Sequence, residues 1–187
     1  TSTINDWRGY WGYQFPFYYA QIAPYNYSNK DFSYLLREAQ RKTLKSTKKT
    51  GMAILLDVGE KEDIHPGNKQ DVGMRFALLA LEKEYNYNIV SSGPLYEDYK
   101  IVDDYIEISF KSVGSGLTSK GQLKNFEIAG ANKKFYEATA KIVGNKVSVH
   151  SKQVQSPIHV RYAWKNWVEA TLFNKEGLPA SSFQSDL

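Results

Sequence analysis

Two segments constrain this chain more tightly than any others. Phe15-Pro16-Phe17-Tyr18-Tyr19-Ala20-Gln21-Ile22-Ala23 and Met52-Ala53-Ile54-Leu55-Leu56 are almost continuously apolar. A strand with one wet face alternates apolar and polar residues, whereas an unbroken run is what a strand covered on both faces shows. Pro16 stands where the first strand would begin, a position that needs no ladder N–H. Between the two runs the sequence predicts a polar turn over 26–30. A helix follows, capped by Asp31 or Ser33, with an apolar stripe of Phe32, Leu35, Leu36 and Ala39. That helix fades into Ser46-Thr47-Lys48-Lys49-Thr50-Gly51, and the second run ends at Asp57. The order is a β-α-β unit, for which a right-handed crossover is expected. A polar loop over 59–67 leads into a long helix over 68–84. Two parallel strands and two helices cannot cover a sheet this apolar, and a two-stranded parallel sheet does not stand alone. Further strands are therefore expected from another segment, most simply an N-terminal segment of the same protein, removed by cleavage or present as a separate chain.

From about residue 89 the pattern changes. Short alternating runs recur: Tyr105-Ile106-Glu107-Ile108-Ser109-Phe110, Phe126-Glu127-Ile128-Ala129, 138–143, Lys146-Val147-Ser148-Val149 and Ile158-His159-Val160-Arg161-Tyr162. Turn signals separate them, at Asp103-Asp104, Gly114-Ser115-Gly116, Gly130-Ala131-Asn132 and Gly144-Asn145. The last, between two alternating runs, reads as a tight hairpin. The expected fold class is α/β followed by all-β, with an α/β part over 1–88 and a β-sandwich over 89–187. Hydrophobic residues make up 42% of the chain and charged residues 24%, enough apolar material for a packed core and too much for disorder.

Composition also excludes several functions. With no Cys there is no disulfide framework, no thiolate nucleophile and no Cys-based zinc site. The net charge is +4, but the basic residues are scattered apart from a cluster over 41–49. That cluster falls at a predicted helix end, where cations complement the dipole. No nucleic-acid module accompanies it, and no window reads as a membrane span. Aromatic residues are 14% of the chain, which suits both β-structure and stacking on sugars.

Three His are present. His150 and His159 lie on alternating strands and read as structural, because no third ligand for a metal accompanies them. His65 lies in Asp57-Val58-Gly59-Glu60-Lys61-Glu62-Asp63-Ile64-His65-Pro66-Gly67-Asn68, between a buried strand and a helix. Beyond such strand ends open α/β sheets bind ligands. A His flanked by carboxylates there has the parts of a general base: the carboxylate fixes the tautomer and Nε2 takes a proton from a nucleophile. An acidic loop holding one His can equally be a solvated loop. No Gly-x-Ser-x-Gly, Gly-Asp-Ser or Gly-Gln-Ser motif accompanies it. Either the chain is not an enzyme, or its serine lies on another segment.

Several segments resemble the sialate O-acetylesterase family, within the wider Ser-Gly-Asn-His (SGNH) hydrolases. They are Phe15-Pro16-Phe17 through Gln21-Ile22-Ala23-Pro24-Tyr25, Leu36-Arg37-Glu38-Ala39-Gln40, Gly51-Met52-Ala53 through Asp57-Val58-Gly59, and Asp63-Ile64-His65-Pro66-Gly67-Asn68-Lys69-Gln70. Phe126-Glu127-Ile128-Ala129-Gly130, Val160-Arg161-Tyr162-Ala163-Trp164 and Gly177-Leu178-Pro179-Ala180-Ser181-Ser182-Phe183 resemble the family's closing region. The resemblance implies the C-terminal part of an SGNH-hydrolase-like parallel-sheet domain plus a small β-sandwich. It implies hydrolysis of sugar acetyl esters by a Ser-His-Asp mechanism without cofactor, with His65 as the base. Asp63 is the preferred acid partner, from the matched Asp-Ile-His-Pro string. Glu62, at the superfamily's usual spacing of three before the His, Asp57 and an acid on the N-terminal segment are alternatives. The family's Gly-Gln-Ser-Asn block with the serine, and its Gly-Glu-Ser-Asn block with an oxyanion asparagine, do not occur here. Both are expected on the N-terminal segment. The implied partners are that segment and an acetylated sugar, sialic acid or a related glycan, with no nucleic acid and no membrane. The expected location is extracytoplasmic, periplasmic or secreted. Arg161 and Trp164 would face either the cleft or the core. The rival readings are an acetylxylan-type esterase and a non-catalytic carbohydrate-binding module.

Overall fold

Both apolar runs contain strands, but short ones. The computed structural model describes residues 1–28 and 32–186. A first helix, α1 (Ser2–Trp11), precedes β1 (Phe17–Ala20). Then come α2 (Ser33–Ser46), β2 (Thr50–Ala53) and α3 (Lys69–Lys83). β1 and β2 run parallel, with Phe17 opposite Thr50 and Ala20 opposite Ala53. Buried Arg8 of α1 pins the start of this pair by donating to the carbonyls of Phe15, Lys48 and Lys49. Asn68 caps α3, its side chain accepting the Asp71 N–H at 3.1 Å.

The remaining strands are β3 (Leu95–Val102), β4 (Tyr105–Lys111), β5 (Leu117–Ser119), β6 (Phe126–Ala129), β7 (Tyr136–Glu137), β8 (Thr139–Val143), β9 (Lys146–His150), β10 (His159–Tyr162), β11 (Leu172–Asn174) and β12 (Phe183–Gln184). All of them pair antiparallel. They form one four-stranded sheet in the order β3-β4-β9-β8, another in the order β12-β10-β6-β7, and the pair β11-β5. The β8–β9 hairpin turns at Gly144-Asn145, where Gly144 takes φ +60°, a conformation that costs glycine nothing.

These sheets correct the expected fold class. The chain is not an α/β SGNH-type parallel-sheet domain followed by an all-β one. It is mostly β, its sheets are mainly antiparallel, and three helices accompany them among the described residues. The physical reason lies in what an unbroken apolar run reports: that both faces are covered, not what covers them. Met52, Ile54 and Leu56 point into a core shared with Ile106, Ile108, Val147, Val149, Ile128 and Val160 of the antiparallel strands. Ala53 and Leu55 point the other way, against Leu79, Val72 and Phe76 of α3. Each large side chain so buried contributes about 1.5–3 kcal/mol. The fully buried Tyr162 fixes its corner of this core, its hydroxyl accepting the N–H groups of Thr171 and Leu172.

Helix α2 faces the opposite way from the pattern's prediction. Phe32, Leu35 and Leu36 are 54%, 45% and 49% exposed, whereas Ser33, Arg37, Glu38 and Arg41 are buried. Arg37 is the reason. It reaches from α2 to Ser33 Oγ and Ser182 Oγ and to the carbonyls of Ala163 and Lys165, tying the helix to the antiparallel strands. Glu38 is held by Arg41 at 2.6 Å. Ser33 is not a side-chain cap, since its N–H and Oγ both donate to Asn166 Oδ1. The expected Asp31 cap and the end of the expected turn over 26–30 lie outside the described residues.

Two carboxyls link this fold to pH. Burial works against ionisation of Asp186, but hydrogen bonds from Gln184 and Lys133 and the charges of His159 and Lys133 outweigh it, so its pKa lies below the ordinary 3.8. Hydrogen bonds from Ser115 hold Glu176 below its ordinary 4.5. A depressed carboxyl favours the folded state above its ordinary pKa, and that contribution is lost as pH falls through the folded value. The thermal midpoint should therefore drop between about pH 5 and about pH 2. Glu176→Gln with Asp186→Asn should shrink that drop, measured by circular dichroism melts.

Candidate functional site

The loop over 57–68 begins where β2 and its extension end, beside the segment that leaves β1. The two segments are pressed together at Gly59, where a Cβ would stand 2.2 Å from the Pro24 carbonyl oxygen. Glycine is thus required for the approach, not for a turn. Three further contacts close the loop. The Gly67 N–H donates to Glu60 Oε1 at 2.6 Å, the Asn26 N–H donates to the Lys61 carbonyl at 3.2 Å, and Lys69 Nζ donates to the Pro66 carbonyl.

His65 sits on the outside of this loop, its side chain 87% exposed. Its backbone N–H donates to Asp63 Oδ1 at 2.8 Å, while its Nδ1 stands 4.0 Å from that same oxygen. The longer distance is beyond a hydrogen bond. Asp63 therefore shapes the loop under His65 and makes no hydrogen bond to the imidazole. The alternative acids are placed otherwise. Glu62 is 78% exposed and 3.9 Å from Lys61. Asp57 forms a two-pronged pair with Arg75 of α3, both contacts at 2.7 Å, and Arg75 also donates to the Ile54 carbonyl. That pair locks the start of the loop onto α3. Among the described residues no serine shares a hydrogen bond with His65, and none of the cavities described in this structure is lined by it.

The other sequence candidates belong to the scaffold. His150 Nε2 lies 3.1 Å from Asp104, and His159 Nδ1 lies 3.8 Å from Asp186. Arg161 pairs with Glu127 at 2.9 Å over the Phe135 ring, and Trp164 is buried against Tyr34. No cluster of three or more His, Cys, Asp or Glu suited to a metal occurs among the described residues. No helix among them is long and apolar enough to cross a membrane.

One feature beside the loop is not visible in the sequence pattern. A cavity of about 280 Å³ opens at Asp57 and Gly59, walled by Trp167, Phe173, Lys120 and Glu169. Its wall residues come from segments far apart in the chain, so no local spacing announces them.

No protein-family model matches the chain, and no curated protein sequence matches it. Among solved structures, it is similar to the crystal structure of a carbohydrate acetylesterase from Xanthomonas citri. The two share 37% identity with a TM-score of 0.91, over 98% of this chain and 44% of that one. The chain thus spans less than half the length of the acetylesterase it matches.

Proposed function

We propose that this chain is part of a carbohydrate O-acetylesterase of the serine type, with His65 as general base and Asp63 as its orienting acid. The observation that supports this reading most is the 37% identity to a carbohydrate acetylesterase along 98% of the chain. The serine is supplied by polypeptide outside these residues. Its hydroxyl oxygen attacks the acetyl carbonyl carbon as His65 Nε2 takes the hydroxyl proton. Backbone N–H groups and an asparagine of that polypeptide hold the oxyanion, as the family resemblance implies. His65 then returns the proton to the sugar oxygen, which leaves as an alcohol. Water attacks the acetyl-serine with His65 again as base, releasing acetate. No step calls for a metal or organic cofactor. On the resemblance the sugar is sialic acid or a related glycan, and acetylated xylan would undergo the same chemistry.

The surface of the chain supports a covering segment. The apolar stripe of α2 points outward, Trp7 and Trp11 of α1 are 55% and 65% exposed, and β1 has β2 as its single strand partner among the described residues. Between α1, β1 and α2 lies a groove of about 340 Å³ lined by Ile4, Phe17, Tyr19, Leu36 and Ala39. Thr1, Thr3, Gln40 and Thr43 also line it, and exposed apolar residues grouped with a polar border suit an interaction surface.

The test is an aryl acetate assay on residues 1–187 alone and on the same chain co-expressed with the serine-bearing segment of its own protein. The isolated chain should show background hydrolysis, and co-expression should restore turnover. Enzyme-like rates from the chain alone, or none after restoration, would overturn the reading.

A further inference from the structure

We propose that the cavity between the loop over 57–68 and Trp167 is a subsite for an uncharged pyranose ring. Its purpose rests on the esterase reading above; its ability to bind a sugar does not. A pyranose has an apolar face and a rim of hydroxyls, so its site needs a flat apolar wall with polar groups around it. The cavity has both. Trp167 gives the apolar wall, the Phe173 ring being buried under Lys120, and Lys120, Glu169 and Asp57 surround it with donors and acceptors. Its volume of about 280 Å³ lies just under the ~300–1,000 Å³ of drug-sized sites, a scale suited to one ring.

The charges select the kind of ring. Asp57 is neutralised by Arg75 through two contacts of 2.7 Å. Lys120 holds its ammonium 4.2 Å above the Phe173 ring and forms no ion pair among the described residues. Glu169 likewise forms none. Lys120 and Glu169, of opposite charge, both line the cavity, so its wall carries no net charge. A sugar carboxylate would gain at Lys120 and lose at Glu169, while neutral hydroxyls can bond to both. Asp57 and Gly59, at the start of the loop that carries His65, line the cavity, while His65 itself does not. Within the proposed function, the charge balance favours acetylated neutral sugars over sialic acid.

The experiment is an NMR titration of the full 187-residue chain, following the Trp167 indole N–H. The probes are methyl β-D-xylopyranoside and, separately, the methyl glycoside of sialic acid. The xyloside should give a saturable shift and the sialoside a weaker one. Trp167→Ala should abolish saturable binding. Lys120→Met and Glu169→Ala, both at exposed positions, should each weaken it about fivefold, the effect of one lost hydrogen bond. If Trp167→Ala does not fold, the two exposed variants decide. No saturable shift with the xyloside, unchanged affinity in the variants, or tighter binding of the sialoside would overturn the proposal. Because the readout is binding, a failure of esterase activity in the restored protein leaves it standing, and its own failure leaves the esterase reading standing.

Discussion

His65→Ala should lower the esterase activity of the restored protein by at least about a thousandfold, with no change in thermal midpoint. The two halves of this expectation rest on different observations. In the proposed mechanism the loss of activity follows from the base: without an imidazole at the loop's outer face, nothing takes the serine proton or returns it to the sugar oxygen. The unchanged stability follows from exposure, since the side chain is 87% accessible and only its backbone N–H is used in holding the loop. Asp63 separates two roles that His65 cannot. As a shaper of the loop it needs only an acceptor at Oδ1, which asparagine retains. As the orienting acid it needs a charge next to Nδ1, which asparagine lacks. Asp63→Asn should therefore cost activity on the order of the ~10⁴-fold that a lost triad carboxylate costs, with Asp63→Ala no better. A loss under about tenfold for Asp63→Asn would assign Asp63 to the loop alone. Steady-state kcat on aryl acetates, with melts of each variant, reads both outcomes.

Why some of this was legible in the sequence and some not comes down to which interactions have a local period. The strand segments Phe17–Ala20 and Thr50–Ala53 lie in apolar runs that stand out in any window. The hairpin at Gly144-Asn145 has its own turn chemistry, and α3 has a cap in Asn68. The loop that carries His65 has bounds the sequence shows, a polar stretch between a buried run and a capped helix, whereas the role of His65 comes from the family resemblance and not from spacing. What the run at 52–56 packs against was not legible, since burial on both faces is silent about the partner. Antiparallel strands from 106 to 183 cover one face, and no rule of spacing connects them to Met52 or Ile54. The Asp57–Arg75 pair joins a strand end to the middle of a helix, and the cavity wall joins Lys120 to Trp167. Such contacts are set by topology alone. Helix α1 was also hidden, because Trp7, Tyr10 and Trp11 are exposed and its buried residues are only Ile4 and an arginine, Arg8.

Helix α2 gives the sharpest test of this structure, because pattern and packing disagree there within a single turn. Arg37→Ala should destabilise the chain by about 3–5 kcal/mol, whereas Leu36→Ser beside it should change stability by less than about 0.5 kcal/mol. Arg37 is fully buried and donates to four acceptors. Burial lowers its pKa to about 10, so at neutral pH the guanidinium stays protonated in both the folded and unfolded states. Its removal leaves a cavity and strands the acceptors. The hydroxyls of Ser33 and Ser182 can rotate to other partners and the half-buried Lys165 carbonyl can turn to water, but the buried Ala163 carbonyl cannot, and a dry carbonyl without a donor costs about 1–3 kcal/mol. Arg37→Met refills most of the volume and restores no donor, so it should recover only the packing part. Arg37→Lys keeps the charge and up to three donors but loses the planar fork, and should fall between the two. Leu36 is 49% exposed and lies on the outer stripe, so a polar residue there gives up little in this chain by itself. Urea unfolding with a common m-value orders the variants. If Leu36→Ser proves costlier than Arg37→Ala, the helix is turned with its apolar stripe inward, and the polar seam between α2 and the antiparallel strands does not exist.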